Sequence, residues 1–243
     1  MNGSRQESPA PAGAERLSII VPVYNEVRTV RTVIDRLVAV ELPVEREIVV
    51  VDDGSTDGTG AELDRGVAEG LPVVVIRSAR NSGKGSAIRL GLARAQGTIV
   101  AIQDADLELD PAQIGSLVEP ILRGRTDVVY GSRFLRPSGA VPWQTLAANR
   151  VLTAVTNLLY GSRLTDMETC YKVMRTGVAR SLELGADRFD IEPEITARLL
   201  RRGHRIEELP VTFDARSRAQ GKKIGWRDGL RALQVLVKER LRN

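Results

Sequence analysis

The residues with the most chemistry to offer lie in one run, positions 98–111, TIVAIQDADLELDP. Four apolar residues at 99–102 predict a buried strand, and behind them Asp104, Asp106, Glu108 and Asp110 fall at alternate positions. Consecutive strand side chains point to opposite faces, so Asp104 and Asp106 project the same way if extended backbone persists through Ala105. Two hard oxygen ligands side by side suit Mg²⁺ or Mn²⁺, ions that leave coordination positions to water and substrate phosphates. The alternative is a solvated acidic turn before a helix, with Asp110 as N-cap and Pro111 in the first turn. An EF-hand is excluded, because Leu109 stands at the required glycine and Gly115 at the terminal glutamate.

The elements that must position this run repeat a simple rhythm. Apolar strand patterns at 17–23, 48–51, 73–76, 99–102 and 127–130 alternate with helical patterns at 29–40, up to Gly70, at 86–95 and at 111–123. That order predicts an α/β fold, a mainly parallel central sheet with right-handed crossovers and helices on both faces. Each strand runs into polar or glycine-rich sequence: Tyr24-Asn25-Glu26, Asp52-Asp53, Arg80 to Gly85, and Asp104 to Glu108. In an open parallel sheet these ends gather on the carboxyl edge, where nucleotides bind.

Two of those ends offer specific groups. An ionised carboxylate is acceptor-only and suits a nucleobase N–H; Asp53 is assigned to the base and Asp52 to the turn. Gly83-Lys84-Gly85 opens a helix and can present N–H groups and positive charge to an anion, or it is a helix-entry turn with a solvated lysine. It is not a Walker A loop, since Ser78 replaces the first glycine and Gly85 the Ser/Thr after the lysine. Nor is it a dinucleotide fingerprint, whose third glycine is replaced by Ile88.

Beyond Gly131 the rhythm changes. A Pro/Gly-containing loop at 136–143 precedes an apolar-rich helix at 146–160, a mixed segment at 166–175 and a helix at 193–202 with Glu192 near its start. A strand at 205–213 is interrupted by Pro210 and so belongs at a sheet edge. A basic loop at 214–225 leads to a final amphipathic helix at 226–241.

The 243 residues, 42% hydrophobic, suffice for the core of one α/β domain over 16–243. Residues 1–15 lack an apolar segment and read as a disordered tail, not a secretory signal. No apolar run approaches the roughly 20 residues that cross a bilayer. The single cysteine, Cys170, excludes an internal disulfide, fits a reducing cytoplasm and reads as a small buried hydrophobe. With 35 Lys+Arg against 31 Asp+Glu, the mixed, slightly basic surface tolerates anionic partners. The absence of any interleaved basic and aromatic run argues against nucleic acid.

LSIIVPVYNE, EIVVVDDGSTDGT, RNSGKGSAI, the DADLELDP run and VVYGSRF resemble, in that order, the nucleotide-sugar half of family 2 glycosyltransferases with the GT-A fold. TDMETCYKVMR, FDIEPEITARL and RSRAQGKKIGWRDG resemble its polyprenyl-phosphate branch, the dolichyl-phosphate mannose synthase-like enzymes. The likeness covers nearly everything but the tail and implies a nucleotide-sugar half at 16–134 and an acceptor-side half at 135–243. It implies that Pro22, Tyr24 and Glu26 line the base and ribose pocket, with Val51 and Asp53 reading the base. It makes Asp104-Ala105-Asp106 the DxD run, Asp106 binding Mg²⁺ or Mn²⁺ most directly and Glu108 standing where many relatives carry glutamine. The resemblance further implies that Lys84 lies on the donor side, that Arg133 reaches a donor or acceptor phosphate, and that Arg216 and Lys222, with Lys223 close behind, close over the diphosphate.

The implied activity is inverting, metal-dependent transfer of a hexose from GDP-mannose or a UDP-hexose to a polyprenyl or dolichyl phosphate at the cytoplasmic membrane face. A lipid phosphate is already ionised near neutrality and needs no strong base. A soluble hydroxyl acceptor needs a carboxylate to take its proton, with Asp166 and Glu168 as candidates; a non-catalytic nucleotide-sugar binding module is the third alternative. The helix at 146–160 and the basic last helix, with Arg227, Arg231, Lys238, Arg240 and Arg242, offer a membrane-facing surface or simply pack with a charged outer face.

Overall fold

The computed structural model describes residues 15–136, 143–214 and 226–242. The elements are β1 (Arg16–Val23), α1 (Val30–Ala39), β2 (Glu45–Asp52), α2 (Thr59–Ala68), β3 (Val73–Arg77), α3 (Lys84–Arg94) and β4 (Ile99–Ile102). A 3-10 turn (Pro111–Gln113) leads into α4 (Ile114–Leu122), followed by β5 (Val128–Ser132), α5 (Trp143–Tyr160), β6 (Lys172–Arg175) and α6 (Thr176–Ser181). The chain ends with α7 (Ile191–Arg201), β7 (Ile206–Pro210) and α8 (Trp226–Leu241).

The seven strands of the described residues form one sheet in the order β3-β2-β1-β4-β6-β5-β7. β1 pairs in parallel with β2 and β4, β2 with β3, and β5 with β7. The mainly parallel sheet is as the alternation predicts, and β7, carrying Pro210, lies on the edge. One strand departs from the rhythm. β6 runs antiparallel between β4 and β5, inside what the sequence reads as a mixed segment. Its four residues, KVMR, begin with a lysine and are too short to show a period, and α6 follows without a break.

Alternation along the strands divides the apolar residues between the two faces of the sheet. Leu17, Ile19, Val21 and Val23 of β1 pack with Val30, Val33, Ile34 and Leu37 of α1 and with α4. Ile20 points the other way, to Ile88 and Leu92 of α3 and to Ile191, Ile195 and Leu199 of α7. A smaller cluster joins α5, α7 and α8 through Leu152, Ala197, Ala232 and Leu236. The inner faces of α5 and α8 are thus spent on packing, and Tyr160 adds a hydrogen bond to the Leu236 carbonyl at 2.6 Å.

The amino end of α3 is pressed against the loop before α7. Ser86 donates its N–H to the Asp187 carbonyl at 3.0 Å. A Cβ on Gly85 would stand 2.2 Å from the Ala186 carbonyl oxygen, and Gly83 adopts φ 107°, a conformation side chains disfavour. The glycines of this turn therefore serve close approach between the two halves of the chain. Gly85→Ala forces backbone apart and is expected to cost about 1–3 kcal/mol, as overpacking does; an unchanged urea midpoint would contradict this packing.

Candidate active site

The acidic run sits where β4 ends, but not as a continued strand. Extended pairing stops at Ile102, the chain turns at Ala105 and Asp106, and Leu107 takes φ 61°. Asp104 and Asp106 thus share a turn instead of one strand face, which corrects the extended reading. Leu107 packs against the main core, which holds its unfavourable backbone in place. Gln103, fully buried, braces the turn from beneath: its amide donates to the carbonyls of Asp104 at 3.0 Å and Leu109 at 3.3 Å, and its oxygen accepts from the Tyr171 hydroxyl at 2.6 Å. Asp106 accepts from the Glu108 N–H at 3.2 Å, and Asp110 caps the 3-10 turn through the Ala112 N–H at 3.1 Å, the N-cap expected of it.

Lys84 supplies the positive charge this turn requires. Its ammonium lies 2.8 Å from Asp104 and 2.9 Å from Glu192 of α7. Burial opposes the charge, but the two carboxylates outweigh it and hold the lysine well above its ordinary pKa. The N–H groups of Ser82 and Gly83 go to Asp53, that of Ser86 goes to Asp187, and the lysine is neither solvated nor turned to an open anion site.

Asp53 accepts from Ser82 at 3.0 Å and from Gly83 at 2.6 Å and is 2% exposed, so it ties the end of β2 to the turn before α3. Asp52 has the turn role assigned to it, accepting the Ser55 N–H at 2.9 Å. Val51 is fully buried in a small apolar cluster with Val49 and Ala87. The loop after β1 is stapled to the loop after β2: Asn25 donates its N–H to Ser55 and accepts from Thr56, Glu26 donates its N–H to Thr59, and Val27 to Asp57. Pro22, Tyr24 and Glu26 are partly exposed on this braced platform. Ala105 is buried under the acidic turn.

On the other side Arg133 clamps Asp166. The guanidinium Nε and Nη2 each lie 2.7 Å from the carboxylate, whose Oδ2 also accepts the Arg133 N–H at 3.0 Å. Asp166 is fully buried, which removes it as a base exposed to an acceptor. Phe134 and Phe213 flank the guanidinium, at 5.5 and 5.2 Å from their ring centres. The loop that follows is fixed group by group. Glu208 accepts the N–H groups of Thr165 and Asp166, Thr153 accepts that of Met167, and Lys172 donates to the carbonyls of Met167 and Thr169.

Glu168 is the exception in this loop. Its Oε1 is buried and has no hydrogen-bond partner among the described residues. Burial pushes its carboxyl up to about 7, with Glu192 and Asp166 adding to the shift and Lys172 and Arg133 opposing it. The two sides of the site meet at Cys170, which is buried as expected. Burial raises its thiol well above the ordinary value, Asp104 and Glu192 raise it further, and Lys84 and Arg133 act against them.

Among the described residues no three His, Cys, Asp or Glu side chains are grouped to hold a metal ion, so Asp104, Asp106 and Glu108 do not form a ready-made cage. Mg²⁺ and Mn²⁺ need none, since one or two carboxylates plus substrate phosphates complete their octahedra. Asp104 and Asp106 fit that pattern. Arg216, Lys222 and Lys223 lie outside the described residues. Asp214 donates its N–H to the Glu108 carbonyl at 2.9 Å, which ties the end of the described segment after β7 to the acidic turn. Glu192 and Lys172 were missed as site residues; their signal was the pair of charges set among residues otherwise suited to a core.

The architecture is that of the GT-A glycosyltransferases. Glucosyl-3-phosphoglycerate synthase from Mycobacterium tuberculosis, solved with Mn²⁺, uridine diphosphate and glucosyl-3-phosphoglycerate, matches 93% of this chain and 80% of its own, with TM-score 0.71 and 21% identity. The family model for glycosyl transferase family 2 matches residues 18–182, and the chain belongs to that family. It is 32% identical over 222 residues to the undecaprenyl-phosphate mannosyltransferase of Micrococcus luteus, covering 86% of this chain and 88% of that protein. It is 31% identical over 219 residues to the dodecaprenyl-phosphate galacturonate synthase of Rhizobium johnstonii, covering 87% of this chain and 63% of that protein's length.

Two outcomes follow from these geometries. Asp166→Ala leaves the Arg133 charge buried without its partner and is expected to cost about 3–5 kcal/mol in urea unfolding; a loss below about 1 kcal/mol would mean that solvent already screens the pair. For Glu168 the folded-state value of about 7 exceeds the usual 4.5. Its contribution to stability is therefore complete below the usual value and is lost as pH rises through the raised one. Glu168→Gln cannot ionise, so its stability relative to the parent should rise between about pH 5 and about pH 8; a pH-independent difference would contradict the shift.

Proposed function

We propose that this protein transfers a hexose from a nucleotide diphosphate sugar, GDP-mannose or a UDP-hexose, to a polyprenyl phosphate, with inversion at the anomeric carbon. The observation that carries the reading is the convergence at one sheet edge of the acidic turn, its Lys84 counter-charge and the clamped Arg133. The relatives' named acceptors, undecaprenyl and dodecaprenyl phosphate, support the choice of acceptor.

Pro22, Tyr24 and Glu26 take the base and ribose, over a floor made by Val51 and Asp53. As the sugar leaves its diphosphate through an oxocarbenium-like transition state, negative charge grows on the departing oxygen. A divalent ion held by Asp104 and Asp106, with Glu108 as a further oxygen, supplies Lewis-acid stabilisation of that charge when bound. Arg216, Lys222 and Lys223 add cationic charge over the diphosphate. Arg133 receives the acceptor phosphate, and Asp166 fixes the plane of its guanidinium. The acceptor oxygen is ionised near neutrality, because phosphomonoesters have a second pKa of about 6.

A membrane surface brings such an acceptor to the protein. No helix among the described residues is long and apolar enough to cross a membrane. Leu158 and Leu241 are 84% and 75% exposed at the ends of α5 and α8, beside Arg240 and Arg242, a combination suited to peripheral contact with an anionic cytoplasmic leaflet.

Glu168 favours a second reading. A buried carboxyl with one oxygen lacking a hydrogen-bond partner among the described residues, raised to about 7, is what a hydroxyl acceptor would need for its proton. Transfer assays with Mn²⁺ separate the two. We expect product from polyprenyl phosphate and none from soluble hydroxyl acceptors, with Asp106→Ala lowering turnover by about 10²-fold or more. Transfer to a soluble hydroxyl alone, lost in Glu168→Gln, would install the second reading; undiminished turnover in Asp106→Ala would remove the acidic turn from the mechanism.

A further inference from the structure

Behind the acidic turn runs a row of alternating charges. Asp104 meets Lys84 at 2.8 Å, Lys84 meets Glu192 at 2.9 Å, and Glu192 meets Lys172 at 2.5 Å. The row sinks from a partly exposed end into the core: the four side chains are 28%, 11%, 5% and 0% exposed. At its inner end the Lys172 ammonium donates to the carbonyls of Met167 and Thr169, which flank Glu168, and lies 4.8 Å from the Tyr130 ring centre. Lys84 holds the outer carboxylate, Lys172 holds the acceptor-side loop, and Glu192, in the first turn of α7, joins them.

Burying four charges is not a route to stability, since apolar residues of similar volume often do as well or better. The row does something an apolar core cannot: it gives Lys84 two places to put its charge. A divalent ion on Asp104 competes with the ammonium for the same oxygens. Lys84 can yield Asp104 without becoming an unpaired buried cation because Glu192 already touches it on the other side.

We propose that Glu192 is a positioning residue that receives the Lys84 charge when a divalent ion takes Asp104, and so sets the cation affinity of the acidic turn. This inference rests on the reading of that turn as a cation site. The same carboxylate anchors Lys172, so the loop around Glu168 is held from the same point.

The test is direct binding of Mn²⁺ to the full chain with uridine or guanosine diphosphate present, read from the paramagnetic resonance signal of free Mn²⁺. Glu192→Gln is expected to weaken binding by about 10–100-fold, the usual effect of losing a group that orients a metal ligand. Glu192→Asp, which keeps the charge but sets it back by one methylene, should fall between the two. Glu239→Gln is the comparator, because Glu239, buried on α8, pairs with Arg198 and Arg201, without contact to Lys84. It should lower the melting temperature and leave Mn²⁺ binding as in the parent. Parent-like binding in the Glu192 variants that fold, with Asp106→Ala abolishing binding, overturns the role of Glu192 and leaves the cation site standing. A parent protein that binds no Mn²⁺ under these conditions overturns both.

Discussion

An acidic turn packed against a protein core needs a counter-charge, and here that is the ammonium of Lys84. The lysine reaches Asp104 because α3 begins beside the end of β4. α3 can begin there only because Gly83 and Gly85 let the backbone before α7 come close. That loop is in turn held by Glu194, whose carboxylate takes the N–H groups of Gly185 and Ala186. The donor-side turn, the sheet edge and the first turn of α7 therefore form one mechanical unit, and the two halves of the chain meet where the chemistry is proposed to occur.

The same economy shapes the rest of the edge. Asn25 and Asp57 spend their hydrogen bonds on neighbouring backbone, so the loops after β1 and β2 are mutually stapled before any ligand arrives, and Asp53 ties β2 to the turn before α3. Arg133 and Asp166 do the same on the acceptor side. Such preorganisation favours sites that stabilise developing charge, since little has to be reordered at the moment of reaction. Glu168 stands apart, held on a hydrogen-bonded loop with its Oε1 lacking a hydrogen-bond partner among the described residues.

The parallel sheet, the strand ends and their common edge were legible because buried strands of 4–8 residues alternate with amphipathic helices, and that pattern admits few topologies. β6 was not legible, because its place is decided by partners on both sides rather than by any period of its own. The acidic run was recognisable by residue type, but its conformation was not: an alternating D-x-D fits strand and turn equally, and only the core contact of Leu107 settles which. Lys84 was marked as a cation for an anion, whereas the structure pairs it with carboxylates that the sequence separates by up to 108 positions, from Lys84 to Glu192. Long-range charge pairing leaves no local signature. In the sequence Asp166 reads as a candidate base and Arg133, on which it closes, independently as a phosphate ligand.

The central claim is that Asp104 and Asp106 hold a divalent cation against a nucleotide diphosphate. Anomalous diffraction from crystals grown with Mn²⁺ and a nucleoside diphosphate tests it most directly. The account predicts a manganese peak at bonding distance from the Asp106 carboxylate, with the diphosphate on its other side and Lys84 shifted toward Glu192. A nucleotide bound at this edge with manganese elsewhere, or with Lys84 still closed on Asp104, would contradict it.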